Sequence, residues 1–200
     1  MITDEVAPQA SPALIINARA LELTGEQFFQ LCQDNRDLRF EMTADGEIII
    51  MPPTGSDTGE RNSELNYQLR HWTKQDANGK CFDSSTAFTL PNGAKRSPDA
   101  SWIRKERYEA LTPDERKRFA PICPDFVVEL RSESDTPNLL HEKMREYIEN
   151  GAQLGWLIDR SAKRVYVYRL NQAAECREQP ETISADPVLR GFVLRMQDVW

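Results

Sequence analysis

The chain contains 200 residues, of which 40% are hydrophobic and 28% are charged, and its formal net charge is −7. This composition fits one globular domain whose core needs neither disulfides nor a structural metal. The acidic balance disfavours broad affinity for nucleic acid, although a local basic patch remains compatible with it. No apolar run approaches the roughly twenty residues of a membrane span. The first residues do not resemble a secretory signal, so we expect a cytoplasmic protein.

The cysteines and histidines do not suggest a metal or redox motif. Only two histidines are present, His71 and His141. The four cysteines are widely spaced and form no Cys-x-x-Cys pair: Cys32, Cys81, Cys123 and Cys176. In a cytoplasm such thiols stay reduced, and we predict no zinc or redox site.

The N-terminal third of the chain predicts a helix followed by a hairpin. Residues 1–20 show no sustained hydrophobic period, so we expect a flexible leader with a short strand near Leu14 to Ile16, followed by a single domain over 21–200. Thr24 and Gln27 have the spacing of a capping box and predict a helix over 25–35. Asp45-Gly46 between two strand-like runs predicts a β-hairpin over 40–51.

The remaining elements alternate between strands and helices. They are a helix over 59–77 with Glu64 and Tyr67 near its inner face, strands over 81–90 and 97–103 forming a second hairpin, a short helix over 113–119, a strand over 125–132, a helix over 138–150, strands over 154–159 and 165–169, a loop over 171–187 and a strand or turn over 188–194. Reduced to its core, this order is helix, strand, strand, strand, helix, strand. It predicts an α+β fold whose helices cover a mixed sheet.

Two Pro-Asp pairs introduce the chemically informative strands. Ser97-Pro98-Asp99 leads into one apolar strand, and Pro124-Asp125 leads into another that contains Glu129. A carboxylate within an apolar strand must be paired, hydrogen-bonded or bound to a metal. If the two strands are neighbours, Asp99 and Glu129 can share one divalent cation, since Mg²⁺ prefers carboxylate and water oxygens.

The order and spacing of several short motifs resemble a known family. The motifs are Phe40-Glu41 before Asp45-Gly46-Glu47, Met51-Pro52-Pro53-Thr54-Gly55, Leu90-Pro91-Asn92-Gly93, Ser97-Pro98-Asp99, Pro124-Asp125 through Glu129-Leu130-Arg131-Ser132, Lys143-Met144-x-x-Tyr147, Asn150-Gly151, and Leu154-Gly155-Trp156-Leu157-Ile158-Asp159. This pattern resembles the PD-(D/E)XK nuclease superfamily, and more closely its putative restriction endonucleases of the "Uma two" type, which are widespread in cyanobacteria. The resemblance covers roughly residues 24 to 200.

The resemblance implies a fold and an activity. The fold is a restriction-endonuclease-like mixed sheet with an αβββαβ core flanked by helices, to which this chain adds an N-terminal helix and a β-hairpin. The activity is metal-dependent hydrolysis of DNA phosphodiester bonds by an endonuclease that uses Mg²⁺ or Mn²⁺. Such nucleases commonly pair to cut two strands, so a homodimer is expected, with the second hairpin, the edge strands and Trp200 as apolar surface.

The resemblance also assigns residues. Asp99 and Glu129 are the expected metal ligands, with Glu64 and Glu41 as further acids. The superfamily signature ends in Lys two residues after the second acid, but this chain has Arg131 there. Arginine stays protonated and cannot act as a base, so Arg131 is expected to orient Glu129 or to contact phosphate. In this branch the lysine is expected on the following helix, which indicates Lys143 as the catalytic cation.

Each assignment has a structural alternative. Asp99 can cap the turn before its strand, and Glu129 can form a salt bridge to Arg131 or Lys143. Lys143 can lie on a solvated helix face, and the basic segments at 95–96, 104–107 and 116–118 can form solvated surface. At the level of function, the alternatives are a catalytically inert nuclease-like interaction module and a metal-dependent hydrolase of small phosphate esters. No glycine-rich phosphate loop supports the last of these.

Overall fold

A computed structural model describes residues 13–133 and 135–200. The α-helices of these residues are α1 (Gly25–Asp34), α2 (Ser56–Asp76), α3 (Lys105–Glu109), α4 (Pro113–Arg116) and α5 (Pro137–Glu149), with a 3₁₀ turn at Arg19–Leu21. The strands are β1 (Leu14–Asn17), β2 (Arg39–Met42), β3 (Glu47–Met51), β4 (Gly79–Asp83), β5 (Phe88–Thr89), β6 (Lys95–Arg96), β7 (Ala100–Arg104), β8 (Phe126–Arg131), β9 (Leu154–Asp159), β10 (Arg164–Tyr168), β11 (Glu175–Glu178), β12 (Thr182–Ser184) and β13 (Val193–Arg195).

The first sheet is antiparallel, with the strand order β1-β3-β2-β6-β5. Its β2–β3 hairpin turns at Gly46, whose φ of +81° favours glycine. The helix α1 begins at a complete capping box between Thr24 and Gln27, as predicted. Phe28 of α1 packs with Met42 and Ile48, so this helix and the sheet share an apolar cluster.

The second sheet is mixed and forms the centre of the molecule. Its strand order is β11-β10-β9-β8-β7-β4, and β8 runs parallel to β9 while the other pairs are antiparallel. The helix α5 connects the parallel pair, because parallel neighbours need a long crossover. A third sheet contains β12 and β13. This α+β architecture with a mixed sheet confirms the predicted fold class.

The two faces of β8 meet different partners, because successive side chains of a strand point to opposite faces. Phe126, Val128 and Leu130 join the large apolar cluster that α2 and the C-terminal strands cover. Val127 lies on the opposite face, in the cluster that contains Met144 of α5. Gly155 of β9 permits this close approach, since a Cβ there would lie 2.4 Å from Met144 Cε.

The predicted second hairpin is present, but it is divided between the two sheets. β4 pairs with β7 in the second sheet, whereas β5 pairs with β6 in the first. A turn in which the Thr86 N–H donates to the Asp83 carbonyl separates β4 from β5. The prediction of two continuous strands was therefore wrong. Each predicted strand is interrupted where the chain passes from one sheet to the other, and the polar residues there show no hydrophobic periodicity.

Other differences concern short or polar elements. The helix predicted over 59–77 begins at Ser56, and the one predicted over 113–119 ends at Arg116. The region 171–187 was expected to be a loop but contains β11 and β12. All four residues of β11 are exposed, so this edge strand lacks the apolar alternation on which strand prediction depends.

The strand predicted near Leu14 to Ile16 is present as β1, which pairs with β3. Residues 1–12 of the expected leader lie outside the described residues, so the division into a leader and a domain from residue 21 stays a prediction. Across residues 13–133 and 135–200, none of the helices has the length and apolar character that crossing a membrane requires.

Candidate metal centre

Asp99 lies at the junction of the two sheets, directly before β7. The pairing of Ala100 with Val128 places Asp99 beside Glu129 on the neighbouring antiparallel strand. The Asp99 Oδ2 atom accepts a hydrogen bond from the Leu130 N–H at 2.8 Å, and Oδ1 accepts one from Asn62 Nδ2 at 3.2 Å. Asn66 donates to the Asp99 carbonyl at 2.9 Å. Asp99 therefore joins β8 to α2, and these contacts exceed those of a local turn cap.

Glu129 is the buried acid of β8, with 5% of its surface exposed. Its Oε1 atom lies 2.8 Å from Lys143 Nζ and accepts a hydrogen bond from the Tyr147 hydroxyl at 3.0 Å. Lys143 and Tyr147 are four residues apart on α5, so they project from the same face of the helix. The alternative in which Glu129 pairs with a cation is thus observed, with Lys143 as the partner.

Lys143 connects the two sheets through its ammonium group. Its Nζ atom lies 2.8 Å from Glu129 Oε1 in the second sheet and 2.8 Å from Glu41 Oε1 in the first. Only 12% of the Lys143 side chain is exposed. The alternative of a solvated helix face is therefore wrong for Lys143, while its role as the catalytic cation stays a prediction.

Glu41 is held on both carboxylate oxygens. Oε1 also accepts a hydrogen bond from the Ser97 N–H at 2.8 Å, while Oε2 lies 3.1 Å from Arg96 Nη1. The Nε atom of Arg96 in turn contacts Glu146 Oε2 at 2.5 Å. A buried chain of alternating charges thus runs from Glu146 through Arg96 and Glu41 to Lys143.

Sequence reasoning did not identify Arg96, Glu146 or Tyr147 as parts of this cluster. Tyr147 is fully buried, and its hydroxyl contacts Glu129. The Lys143-Met144-x-x-Tyr147 spacing was an available signal, since it puts two polar groups on one helix face. Glu146 had no comparable signal, because its partner Arg96 is fifty residues away in the sequence.

The cluster has unusual proton affinities because its carboxylates are removed from water. Burial raises the pKa of Glu129 to about 8, and the neighbouring charges of Asp99 and Glu41 act in the same direction. Burial also raises the pKa of Asp99. For Glu41, burial is outweighed by the charges of Lys143 and Arg96, so its pKa is lowered. The pKa of Lys143 is raised, because Glu129 and Glu41 outweigh its burial.

Two of the predicted site residues lie away from this cluster. Arg131 follows Glu129 on β8, but its Nη1 atom contacts Asp159 Oδ2 at 2.7 Å and Ser161 Oγ at 3.1 Å. Glu64 accepts a hydrogen bond from Gln68, which also contacts the backbone of Arg195. The structure therefore brings Asp99, Glu129, Lys143 and Glu41 together, and it directs Arg131 and Glu64 to other partners.

Several arginines of the basic segments at 104–107 and 116–118 are also engaged elsewhere. Arg107 contacts the buried carboxylate of Asp125 at 2.9 Å, Arg116 lies over the ring of Tyr108, and Arg118 contacts Glu26. The segment 104–107 begins at the last residue of β7, whereas Asp99 directly precedes its first residue. These contacts favour the structural interpretation of the two segments.

The oxygen donors around Asp99 fit a divalent cation in chemical type. Asp99 and Glu129 supply carboxylates, and the Oδ1 atom of Asn62 is buried without a hydrogen-bond partner. Carboxylate, amide and water oxygens are the ligands that Mg²⁺ prefers. No group of three or more His, Cys, Asp or Glu side chains in the described part of the chain is arranged to hold a metal. A cation here would therefore depend on the two acids together with amide, water or substrate oxygens.

Comparisons with known proteins agree on family and fold. A family model described as "Uma2: Putative restriction endonuclease" matches residues 26–197. The crystal structure of a putative nuclease belonging to DUF820 from Anabaena variabilis ATCC 29413 matches with a TM-score of 0.73 and 22% identity, over 88% of this chain and 97% of that one. None of the curated proteins compared with the chain matches it. At this identity the structural likeness establishes the fold alone.

Proposed function

The chain belongs to the Uma2 family of putative restriction endonucleases, and from this premise we propose that it is a metal-dependent endonuclease that hydrolyses DNA phosphodiester bonds. The observation that carries the proposal is the meeting of Asp99 and Glu129 from adjacent strands, beside the ammonium group of Lys143. The crystal structure that matches the fold is described as a putative nuclease. That description is consistent with the proposal.

Asp99 and Glu129 would hold Mg²⁺ or Mn²⁺ in this proposal. A bound divalent cation polarises a phosphoryl oxygen and makes a coordinated water a stronger nucleophile. Burial raises the pKa of both acids, and a divalent cation would offset the cost of holding their negative charges away from water. Asn62 donates a hydrogen bond to Asp99, and its own amide oxygen is buried without a hydrogen-bond partner.

Lys143 supplies positive charge to the transferring phosphoryl group. Its raised pKa keeps it protonated at neutral pH, so it acts as a fixed cation and not as a base. Glu41 is more useful as a holder of this ammonium than as a metal ligand, because Lys143, Ser97 and Arg96 occupy its oxygens. Tyr147, one helical turn after Lys143, also holds Glu129 by donating its hydroxyl hydrogen bond to the carboxylate.

A plasmid nicking assay tests this function. Wild-type protein with Mg²⁺ or Mn²⁺ is expected to convert supercoiled plasmid to open-circular and linear forms, and Asp99→Asn and Glu129→Gln are expected to lose this activity. The matched control is Glu175→Gln, an exposed acid on β11 that contacts Arg177. Equal cleavage by all variants would assign the activity to another site or to a contaminant.

A catalytically inert nuclease-like interaction module is the second candidate function. Lys143 already neutralises part of the charge on Glu129 and Glu41, and the signature lysine position holds Arg131, which faces Asp159. Both features favour an inert module. Absence of cleavage by the wild type across several divalent metals, together with no heat of Mn²⁺ binding in calorimetry, would support this candidate over the nuclease.

The homodimer stays a prediction, but the apolar groups expected at its interface differ in exposure. Trp200 donates its indole N–H to the Pro180 carbonyl and packs against the C-terminal cluster, so it is not a free apolar group. Phe88 of the second hairpin is buried as well. The edge strand β1 instead exposes Leu14, Ile15 and Ile16. Light scattering of wild type and Ile15→Lys would test whether this edge joins two copies.

A further inference from the structure

A pair of arginines, Arg61 and Arg160, shares the exposed carboxylate of Asp57. Arg160, in the turn after β9, contacts Asp57 Oδ2 at 2.5 Å, and Arg61 of α2 lies 3.5 Å from Asp57 Oδ1. The Asp57 side chain is 67% exposed, whereas Arg61 and Arg160 are only 25% and 18% exposed. Two partly buried guanidinium groups therefore converge on an anion that faces solvent.

This arginine pair adjoins the metal centre through α2. Arg61 immediately precedes Asn62, whose amide contacts Asp99 at 3.2 Å. Arg160 follows Asp159, which pairs in register with Arg131 at the end of β8, two residues after Glu129. Arg61 is thus one residue from a hydrogen-bond partner of Asp99, and Arg160 follows the strand that pairs with β8. A nucleic-acid strand with its reactive phosphate at Asp99 and Glu129 would carry a neighbouring phosphate toward them.

The hydrogen bonding of the two guanidinium groups is incomplete. The Nε atoms of Arg61 and Arg160 are buried and have no hydrogen-bond partner. Buried donors without acceptors are rare in folded proteins and call for a physical explanation. Asp57 engages only terminal nitrogens of both arginines. A phosphate oxygen pair can bind the terminal and Nε positions of an arginine together, which a shared carboxylate at this position does not do.

We propose that Arg61 and Arg160 form a subsite for a backbone phosphate of duplex DNA adjacent to the cleaved one, and that Asp57 occupies this subsite until DNA displaces it. The inference rests on the proposed nuclease function, since it supplies the substrate. Release of Asp57 frees Arg160 and leaves Arg61 with the exposed carboxylate of Glu60 as its remaining partner, so that both can turn their Nε edges toward the phosphate. The exposed carboxylate thereby keeps two partly buried cations paired while no substrate is bound.

Equilibrium binding of DNA tests the subsite without any cleavage. Fluorescence anisotropy of a short labelled duplex in EDTA would be measured over a range of chloride concentrations. Arg61→Met and Arg160→Met are each expected to weaken binding roughly three- to tenfold and to reduce the salt slope by about one. Asp57→Asn is expected to tighten binding severalfold, because it removes the competing anion.

Matched changes on β11 control for overall charge. Arg177 and Glu175 form an exposed pair with a 2.9 Å contact, and Arg177→Met and Glu175→Gln change the net charge by the same amounts. Circular dichroism would verify the fold of each variant. The subsite is overturned if Asp57→Asn binds no tighter than Glu175→Gln, or if the arginine variants match Arg177→Met. If the proposed nuclease function is wrong, the wild type would leave plasmid intact although it binds the duplex normally, so this failure is distinguishable from failure of the subsite.

Discussion

The two faces of β8 show how differently one strand can be stabilised. On one face Phe126 packs edge-on to Trp156, with ring centroids 4.8 Å apart, and Phe192 stacks on Trp156. On the other face Glu129 is surrounded by Lys143, Tyr147 and the nearby acids. The first face is stabilised by contacts between uncharged apolar side chains, whereas the second carries a cluster of charged side chains that is removed from water.

The difference indicates where stability and function reside. Burial of apolar surface stabilises a fold directly, whereas a buried carboxylate costs desolvation that only good partners offset. A chain selected only for stability would place an apolar residue at position 129. The charged face is therefore the one in which a functional requirement outweighs stability, and changes on the two faces should have opposite consequences.

Glu129→Gln is expected to abolish cleavage while leaving the fold intact. The amide keeps the shape and can still accept from Tyr147, but it removes a charge that a divalent cation requires. Plasmid nicking would fall to the background of the assay, and calorimetry would show weakened Mn²⁺ binding. A variant that cuts as fast as wild type would remove Glu129 from the mechanism.

Phe126→Ala should have the reverse effect. It deletes a fully buried ring from the apolar face, and such truncations cost about 3 to 5 kcal/mol. Chemical denaturation would show this loss in the free energy of unfolding. Nicking per folded molecule should remain close to wild type, because the ring does not face the cluster. Equal loss of activity and stability would mean that the two faces are not separable.

The stability of the charged face should depend on pH. The pKa of Glu129 is near 8 in the fold and 4.5 in an ordinary environment. Below pH 4.5 both states hold the proton; as pH rises toward 8 the unfolded chain ionises first, so the free energy of unfolding falls. We expect a decrease on the order of a few kcal/mol across this window.

Glu129→Gln provides the comparison for this pH dependence. Between pH 4.5 and 8, the free energy of unfolding, measured by denaturation, should decrease less for the variant than for the wild type. The decrease that remains in the variant comes from Asp99, whose pKa is also raised in the fold. A wild-type stability that rises across the window would contradict the direction of both shifts. Phe126→Ala should lower stability by the same amount at every pH.

Glu146→Gln tests the more distant part of the charged face. Glu146 does not contact the acids, but it holds Arg96, which holds Glu41 and so positions Lys143. Loss of such a positioning contact should reduce the nicking rate roughly 10- to 100-fold. Mn²⁺ affinity should be little changed, since Asp99 and Glu129 are intact. Glu142→Gln, one turn away on α5, is the matched control.

Arg131→Lys should have the smallest effect. The substitution restores the superfamily signature, yet the side chain at this position faces Asp159 and Ser161. Lysine keeps the positive charge that pairs with the largely buried Asp159 carboxylate, so the ion pair can be retained. Nicking and stability should both stay near wild type. A large gain in nicking would show that the signature position still reaches the substrate.

Elements with strong periodicity or explicit start signals were predictable from the sequence. The capping box at Thr24 and Gln27, the hairpin turn at Gly46 and the helix α5 all follow local rules. The divided hairpin and the edge strand β11 did not, because their sheet assignment depends on partners far along the chain. Such pairings leave no local pattern to read.

The candidate centre shows the same limit. The two acids could be found because a charge within an apolar strand is conspicuous, and Lys143 because a resemblance indicated its helix. Arg96 and Glu146 could not be found, since the contact that joins them spans two sheets and a crossover helix. The sequence could not show that Glu64 has a partner on its own helix, Gln68, which also contacts the backbone of the C-terminal strand.

The position of the Lys143 ammonium gives the two sheets a mechanical connection. Glu41 belongs to one sheet and Glu129 to the other, and the same nitrogen contacts both at 2.8 Å. Any hinge motion that widens the gap between the sheets must stretch or break one of these contacts. Opening of the molecule would therefore also rearrange its charged interior, in which Lys143 contacts a carboxylate of each sheet.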